Sequence, residues 1–264
     1  MTTPIMPVTK TTHFFIGPGR TGTTYLYNLL SNCPTVLSPI IKEPSYFDSN
    51  YHKGINWYDN LYPSIDEPNS SIKELAPQRK YRVDFSNLYY LNTLAIERIL
   101  DYNEQANFLI IQRNHKELFR SMLYFELRKG KSIKTIIERA DTIYNNADCQ
   151  SHIKKIKAIV GERLKVIDFS LIIQQNFLEI SRQCNMTLPT SNLNAAKNAR
   201  IIPKARIFGI ATKSTALFLR RTGQYRLLQW LKNQDLLKSI LFVTNRTNTK
   251  NLKIEKIVSD KFDE

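Results

Sequence analysis

The first side chains with chemistry in them lie in HFFIGPGRTGTTYLYNLL, residues 13–30. Gly17 and Gly22 are separated by four residues, the spacing of a phosphate-cradling P-loop, but Thr23 occupies the place of that loop's lysine. A glycine-rich turn between a strand and a helix aims backbone N–H groups, and the positive end of the helix dipole, at an anion. Hydroxyls at Thr21, Thr23 and Thr24 add donors, and Arg20 adds a permanently charged fork for bidentate contact with oxygen. Gly19, Arg20, Thr21, Gly22, Thr23 and Thr24 together therefore read as a site for a phosphate-like group. Without the lysine, the β/γ-phosphate and Mg²⁺ chemistry of a nucleoside triphosphatase is disfavoured. Taken alone, the same residues would also make a plain strand–helix turn.

Two further groups fall where they can join that loop. The apolar run FLIIQ ends at Arg113, and RNHKELFRS places Ser121 eight residues on, within the next helix. Arginine and serine can hold a second phosphate, one by charge and the other by hydrogen bond. In IIKEPSYF, Glu43 stands beside Lys42 and just before Pro44, which holds the preceding residue out of helix. A carboxylate there is well placed to act as general base. Each group also has an ordinary reading: a solvated strand-end charge, a helix serine, a surface glutamate.

The elements that must position them follow a wound α/β pattern. Residues 13–16 suit a buried strand, and Leu26, Leu29 and Leu30 recur at helical spacing from Thr24 onward. Residues 35–37 start a second strand; 48–80 are loop-rich, broken by a short aromatic helix over 55–61. The spacing predicts a helix over 87–102, a fully buried strand over 108–111, and helices over 116–128, 132–145 and 151–160. A strand over 164–169 and a helix through about Cys184 follow. Residues 192–206 read as a basic loop, 210–243 as two or three short helices, and the tail from Thr244 as polar. Strands alternating with helices imply a central parallel sheet flanked by helices, with ligands at the strands' carboxyl ends. No linker divides the chain, so one P-loop-like domain over 1–264 is expected, with a helical C-terminal extension from about residue 207.

In their order, GPGRTGTT, KEPSYF, YHKGINWY and RNHKELFRS resemble the sulfotransferases that use 3′-phosphoadenosine 5′-phosphosulfate (PAPS). The similarity is greatest to the bacterial and heparan sulfate branch. DFSNLYYL and VIDF are similar to the family's intermediate segments, and NAAKNARIIPKAR and VTNRTN are weaker echoes near the C-terminus. The resemblance implies an enzyme whose loop holds the 5′-phosphosulfate. Arg20 stands where most members have lysine, at the leaving phosphate oxygens. Arg113 and Ser121 match the pair that holds the 3′-phosphate, and Glu43 the general base of the heparan sulfate branch. Arginine supplies charge but no transferable proton, so a leaving-group role for Arg20 would be electrostatic. Lys204 and Arg206 are candidates to close over the cofactor. The acceptor would be a hydroxyl or amine of a glycan or small molecule, and no metal is called for.

Composition bounds the rivals. The 264 residues carry a net charge of +15, which attracts anions generally without choosing among nucleic acid, acidic lipid and charged metabolites. A nucleic-acid-binding module would need a docking motif or a stacking platform, and none is evident. A small-molecule kinase on the same fold would need the lysine that Thr23 replaces. No apolar stretch reaches membrane-spanning length, and the first residues lack the pattern of a signal peptide. Cys33, Cys149 and Cys184 have no ligand or redox spacing, so a reducing compartment, the cytoplasm, is expected. His52 and His115 read as surface or structural residues.

Overall fold

The structure, a computed structural model, describes residues 10–63, 80–186, 201–203, 214–216, 218–219, 222–233, 242–244 and 249–263. These fall into two compact units, one within Met1–Arg113 and Cys149–Ala196, the other within Asn114–Asp148 and Lys197–Glu264.

The first unit is built on five parallel strands: β1 (His13–Gly17), β2 (Val36–Leu37), β3 (Tyr81–Phe85), β4 (Asn107–Gln112) and β5 (Leu164–Asp168). Their order is β2-β3-β1-β4-β5, with every neighbouring pair parallel. Every residue of β1 is buried, as are Phe108 to Ile111 of β4, which is why both read as continuous apolar runs. Helix α1 (Thr23–Ser31) packs Leu26, Leu29 and Leu30 into the core beside Phe15 and Phe85, whose rings stack at 4.0 Å. Each buried leucine contributes roughly 1.5–3 kcal/mol. The expected α/β architecture with a central parallel sheet is what the chain adopts.

Helix boundaries differ from the sequence-based expectation in three places. The predicted helix over 87–102 is a 3₁₀ turn at Tyr89–Leu91 followed by a helix at Thr93–Tyr102, numbered α3 after the short α2 (Ile55–Asp59). Asn92 is extended between them, at φ −132° and ψ 101°. The stretch 132–145 is two helices that meet at Arg139. The helix expected after β5 is α8 (Phe169–Ile173) and α9 (Phe177–Cys184), parted where Gln175 takes φ 55°. Strand β3 lies in a segment that the pattern left unassigned.

In the second unit, α4 (His115–Arg128), α5 (Ile133–Glu138), α6 (Ala140–Ala147) and α11 (Thr249–Phe262) pack together; α7 (Cys149–Val160) belongs to the first unit. Asn114 caps α4 by accepting from Glu117 N–H at 3.1 Å. His115 donates from Nε2 to the Tyr144 carbonyl at 2.9 Å and lies against Phe262, which makes it structural. Tyr124 and Arg120 both bond Glu255 of α11, at 2.9 and 3.0 Å. The helical C-terminal region is present, with α10 (Tyr225–Asn233) and α11. It also holds an antiparallel pair, β6 (Ile201–Pro203) and β7 (Phe242–Thr244), in segments that read as loop and helix. Lys204 and Arg206 lie outside the described residues.

Gly17 ends β1 at φ +132°, and a Cβ there would stand 2.5 Å from the Asn87 carbonyl oxygen and 2.5 Å from the Tyr90 ring. Backbone cannot yield to such a contact. Gly17→Ala should therefore cost about 2 kcal/mol or more in denaturant unfolding; an unchanged midpoint would show that this close approach is not required.

Candidate active site

The glycine-rich loop forms at the carboxyl end of β1. Gly22 sits at φ 81°, ψ 8° before α1, and a Cβ there would meet Ile172 Cγ2 at 2.7 Å. No side chain caps α1, so its first N–H groups have no partner from a capping residue. Thr21 is fully buried and its hydroxyl donates to the Pro18 carbonyl at 2.7 Å, bracing the turn. Thr23 is buried, whereas Thr24 is exposed in the first turn of α1. Arg20 takes φ 72°, a left-handed conformation rare for a residue with a side chain.

That conformation has a visible use. The Arg20 carbonyl accepts from Arg113 Nη1 at 2.8 Å, so the arginine that follows β4 is tied to the loop that follows β1. The Arg113 guanidinium also lies over the ring of Phe169, 4.6 Å from its centroid, at the start of α8. The ends of β1, β4 and β5 thus converge on one arginine. Gly19, Arg20 and Arg113 are all partly exposed there. Ser121 lies in α4 and belongs to the second unit, half-buried.

Glu43 belongs to the first unit and approaches the loop from the side of β3. It takes φ 66°, and Ser45 takes φ 49°. With Arg20, these are three of the five described non-glycine residues at positive φ, so backbone strain gathers in the two candidate loops. Lys42 Nζ lies 2.7 Å from Glu43 Oε1, and Asn87 Nδ2 donates to the same oxygen. The Glu43 side chain is 41% exposed, which leaves it within reach of a substrate. At that exposure the pair with Lys42 is worth no more than about 1 kcal/mol.

Beneath this turn lies a buried polar network that the sequence reading missed. Ser45 N–H donates to Ser86 Oγ at 2.9 Å, and Ser86 Oγ donates to Asp84 Oδ1 at 2.6 Å. Asp84 is fully buried and also accepts from Tyr58 OH at 3.0 Å, which in turn meets Thr11 Oγ1 at 2.8 Å and Tyr62 OH at 3.0 Å. Burial pushes the Asp84 carboxyl up to about 6, against the opposing effect of the Ser86, Tyr58 and Tyr89 hydrogen bonds. Residues 84 and 86 share one face of an extended chain, and VDFS was the available signal.

Known proteins bear on this geometry. The crystal structure of a sulfotransferase from Alicyclobacillus acidocaldarius matches 85% of this chain and 96% of its own, with a TM-score of 0.51 at 17% identity. The bifunctional heparan sulfate N-deacetylase/N-sulfotransferase of Drosophila melanogaster is 40% identical over 62 residues. The human N-deacetylase/N-sulfotransferase 3 is 43% identical over 54 residues. The chain thus shares the fold of a sulfotransferase and, over a short segment, the sequence of sulfotransferase-containing enzymes. The matched segments are 21% and 18% of this chain, and only 6% of the length of either bifunctional relative. No protein-family model matches the chain.

The structure adds Asn87 and Phe169 to the candidate residues. Asn87 follows Ser86 without any motif to mark it, and Phe169 was legible only as the end of VIDF. Among the described residues, no three His, Cys, Asp or Glu side chains gather as a metal site. No described helix is long and apolar enough to cross a membrane.

Asp84 also makes a prediction about stability. A carboxyl whose folded pKa is raised to about 6 contributes stability below its ordinary value of 3.8 and loses it as pH rises through about 6. His13, buried and pulled down to about 4, runs the other way, losing its contribution as pH falls. The difference between Asp84→Asn and the parent isolates Asp84. The variant should gain on the parent by on the order of 2 kcal/mol between about pH 4 and pH 7 in urea unfolding. A difference flat with pH would mean that Asp84 is already ionised in the fold.

Proposed function

We propose that this protein moves a sulfuryl group from PAPS to a hydroxyl or amine of a glycan or small-molecule acceptor, with Glu43 as general base. The observation that carries the reading is that Asn87, whose backbone abuts Gly17 where the glycine-rich loop begins, donates to the Glu43 carboxylate. A phosphate-type loop after β1 and a reachable carboxylate after β2, bridged by the end of β3 between them, are what in-line transfer needs. The fit of PAPS is supported by a helix N-terminus that no side chain caps and by a permanent cation bonded to the loop.

In this reading the loop N–H groups, Gly19, Gly22, Thr23 and Thr24 hold the 5′-phosphosulfate, with Thr21 bracing the turn. Arg113 holds the 3′-phosphate, and Ser121 joins it by resemblance. PAPS supplies the sulfuryl group; its sulfur–oxygen bridge breaks as the acceptor's oxygen or nitrogen bonds sulfur. Glu43 takes the acceptor's proton. Arg20 and the loop stabilise charge on the departing bridge oxygen, the kind of preorganised field that usually supplies the largest share of rate. Arginine does this without donating a proton. Residues 1–264 would work as one sulfotransferase domain. The three described cysteines are buried and unbridged, which suits a reducing cytoplasm.

Nucleotide binding tests the donor side. Adenosine 3′,5′-bisphosphate should raise the melting temperature without metal more than 5′-AMP does, and more than ATP with Mg²⁺. Saturation at 100 times the dissociation constant adds about 2.7 kcal/mol. Equal shifts for the bisphosphate and 5′-AMP would remove the 3′-phosphate assignment. Arg113→Ala should weaken the bisphosphate, because a charge-assisted contact is lost. Arg20→Lys should be the mildest loop change, and a loss equal to that of Arg20→Ala would show that fork geometry matters more than charge.

Turnover tests the base. Glu43→Gln keeps the shape and removes the proton acceptor, so the rate should fall by about 10²–10⁴-fold. The bisphosphate should bind nearly as it does to the parent. Near-normal turnover in that variant would leave Glu43 as the partner of Lys42 and nothing more.

A further inference from the structure

Asn87 stands where the two loops meet, and its environment is unusual. It is 9% exposed, and its Nδ2 donates to Glu43 Oε1. A Cβ on Gly19 would lie 3.7 Å from Asn87 Nδ2 and 3.8 Å from its Cβ, so the side chain faces the loop with room for no more than a methyl group between them. Its own carbonyl oxygen lies under Gly17. The side-chain Oδ1 is buried and accepts no hydrogen bond among the described residues. An unpaired buried amide oxygen costs about 1–3 kcal/mol. Residue 87 therefore holds a polar side chain that stability alone does not favour.

We propose that Asn87 is a positioning residue that fixes the Glu43 carboxylate at a set distance from the glycine-rich loop. The inference rests on the reading of Glu43 as general base. Lys42 also bonds Glu43, but it is the adjacent residue on the same turn and moves with it, so it cannot set that distance. Asn87 follows a different strand, and its backbone is locked against Gly17 through the side-chain-free contact. The amide thus refers the carboxylate to the end of β1, where the donor loop begins. A glutamate side chain 41% exposed would otherwise explore several rotamers. A misplacement of about 1 Å at a reacting group can cost about 10²-fold in rate.

The test uses Asn87→Leu, close in shape and without a donor, with Asn87→Ala, Glu43→Gln and the double variant Asn87→Leu/Glu43→Gln on the full chain. The measured quantity is release of adenosine 3′,5′-bisphosphate from PAPS, to water and to N-desulfated heparan sulfate. Bisphosphate affinity is measured by calorimetry, and melting on each variant. Asn87→Leu should melt close to the parent and bind the bisphosphate within about threefold, while kcat falls by about 10–100-fold. In the Glu43→Gln background the same change should cost almost nothing further, because the asparagine acts through the carboxylate. A parent-like kcat for Asn87→Leu, or equal losses in both backgrounds, would overturn the proposal. If Asn87→Leu does not fold, Asn87→Ala carries the same comparison. Full turnover in Glu43→Gln would instead sink the general-base reading and this inference with it. So would a parent that releases no bisphosphate to either acceptor.

Discussion

The close approach of β3's end to β1's end is the constraint on which the rest of the first unit depends. Ser86 N–H continues the ladder onto the Phe15 carbonyl at 3.1 Å, and Asn87 then lies directly against Gly17. That contact works because residue 17 has no side chain and takes a backbone angle suited to glycine. Two loops arriving from different strands are thereby held to one small region. From β1 the chain runs to one side for β2 and β3 and to the other for β4 and β5. Such a reversal opens the crevice in which an α/β sheet binds its ligand. The contact at Gly17 decides which β3 residues face that crevice.

The buried network around Asp84 secures the same region from below. A lone carboxyl without partners would be untenable at full burial, but serine and tyrosine hydroxyls satisfy both of its oxygens. Ser86 turns that satisfaction outward, because its hydroxyl also accepts from the Ser45 amide. The Glu43 turn is further held by Asn50 Nδ2, which donates to the Pro44 carbonyl at 2.8 Å. These bonds offset the strain of two residues at positive φ in three positions of chain. The core polar residues are therefore explained by what they hold up.

Legibility in the sequence followed how much of each element is apolar. Strands β1 and β4 were plain because burial on both faces leaves them unbroken by polar residues. Strand β3 was not, because YRVDF carries Arg82 and Asp84 where a buried strand should be apolar. Arg82 is 5% exposed, paired with Asp59 and stacked on the Tyr62 ring at 3.7 Å, and Asp84 has its hydroxyls. Long-range partners made those charges tolerable, and no local pattern reports them. Helix α11 hid behind its polar residues, although Ile254 and Val258 sit four apart and are both buried. At the site, Gly17, Arg20, Glu43 and Arg113 were legible as residue types in motifs. Asn87 was not, since nothing in its neighbours marks it until β3 and β1 are paired.

Arg20 joins these threads. In a left-handed conformation a non-glycine residue gives up roughly 1–2 kcal/mol, and Gly19 beside it could have taken that geometry at less cost. The arginine at this position therefore carries its strain in exchange for something a glycine lacks, which is its side-chain charge. Its backbone meanwhile turns the carbonyl toward Arg113 at 2.8 Å, and a carbonyl dipole there stabilises a second guanidinium that Phe169 also covers. Two permanent cations are thus brought to one loop through a carbonyl between them. Under the proposed reading, an anionic donor is the counterpart of a loop that keeps arginine, strain and glycine together in eight residues.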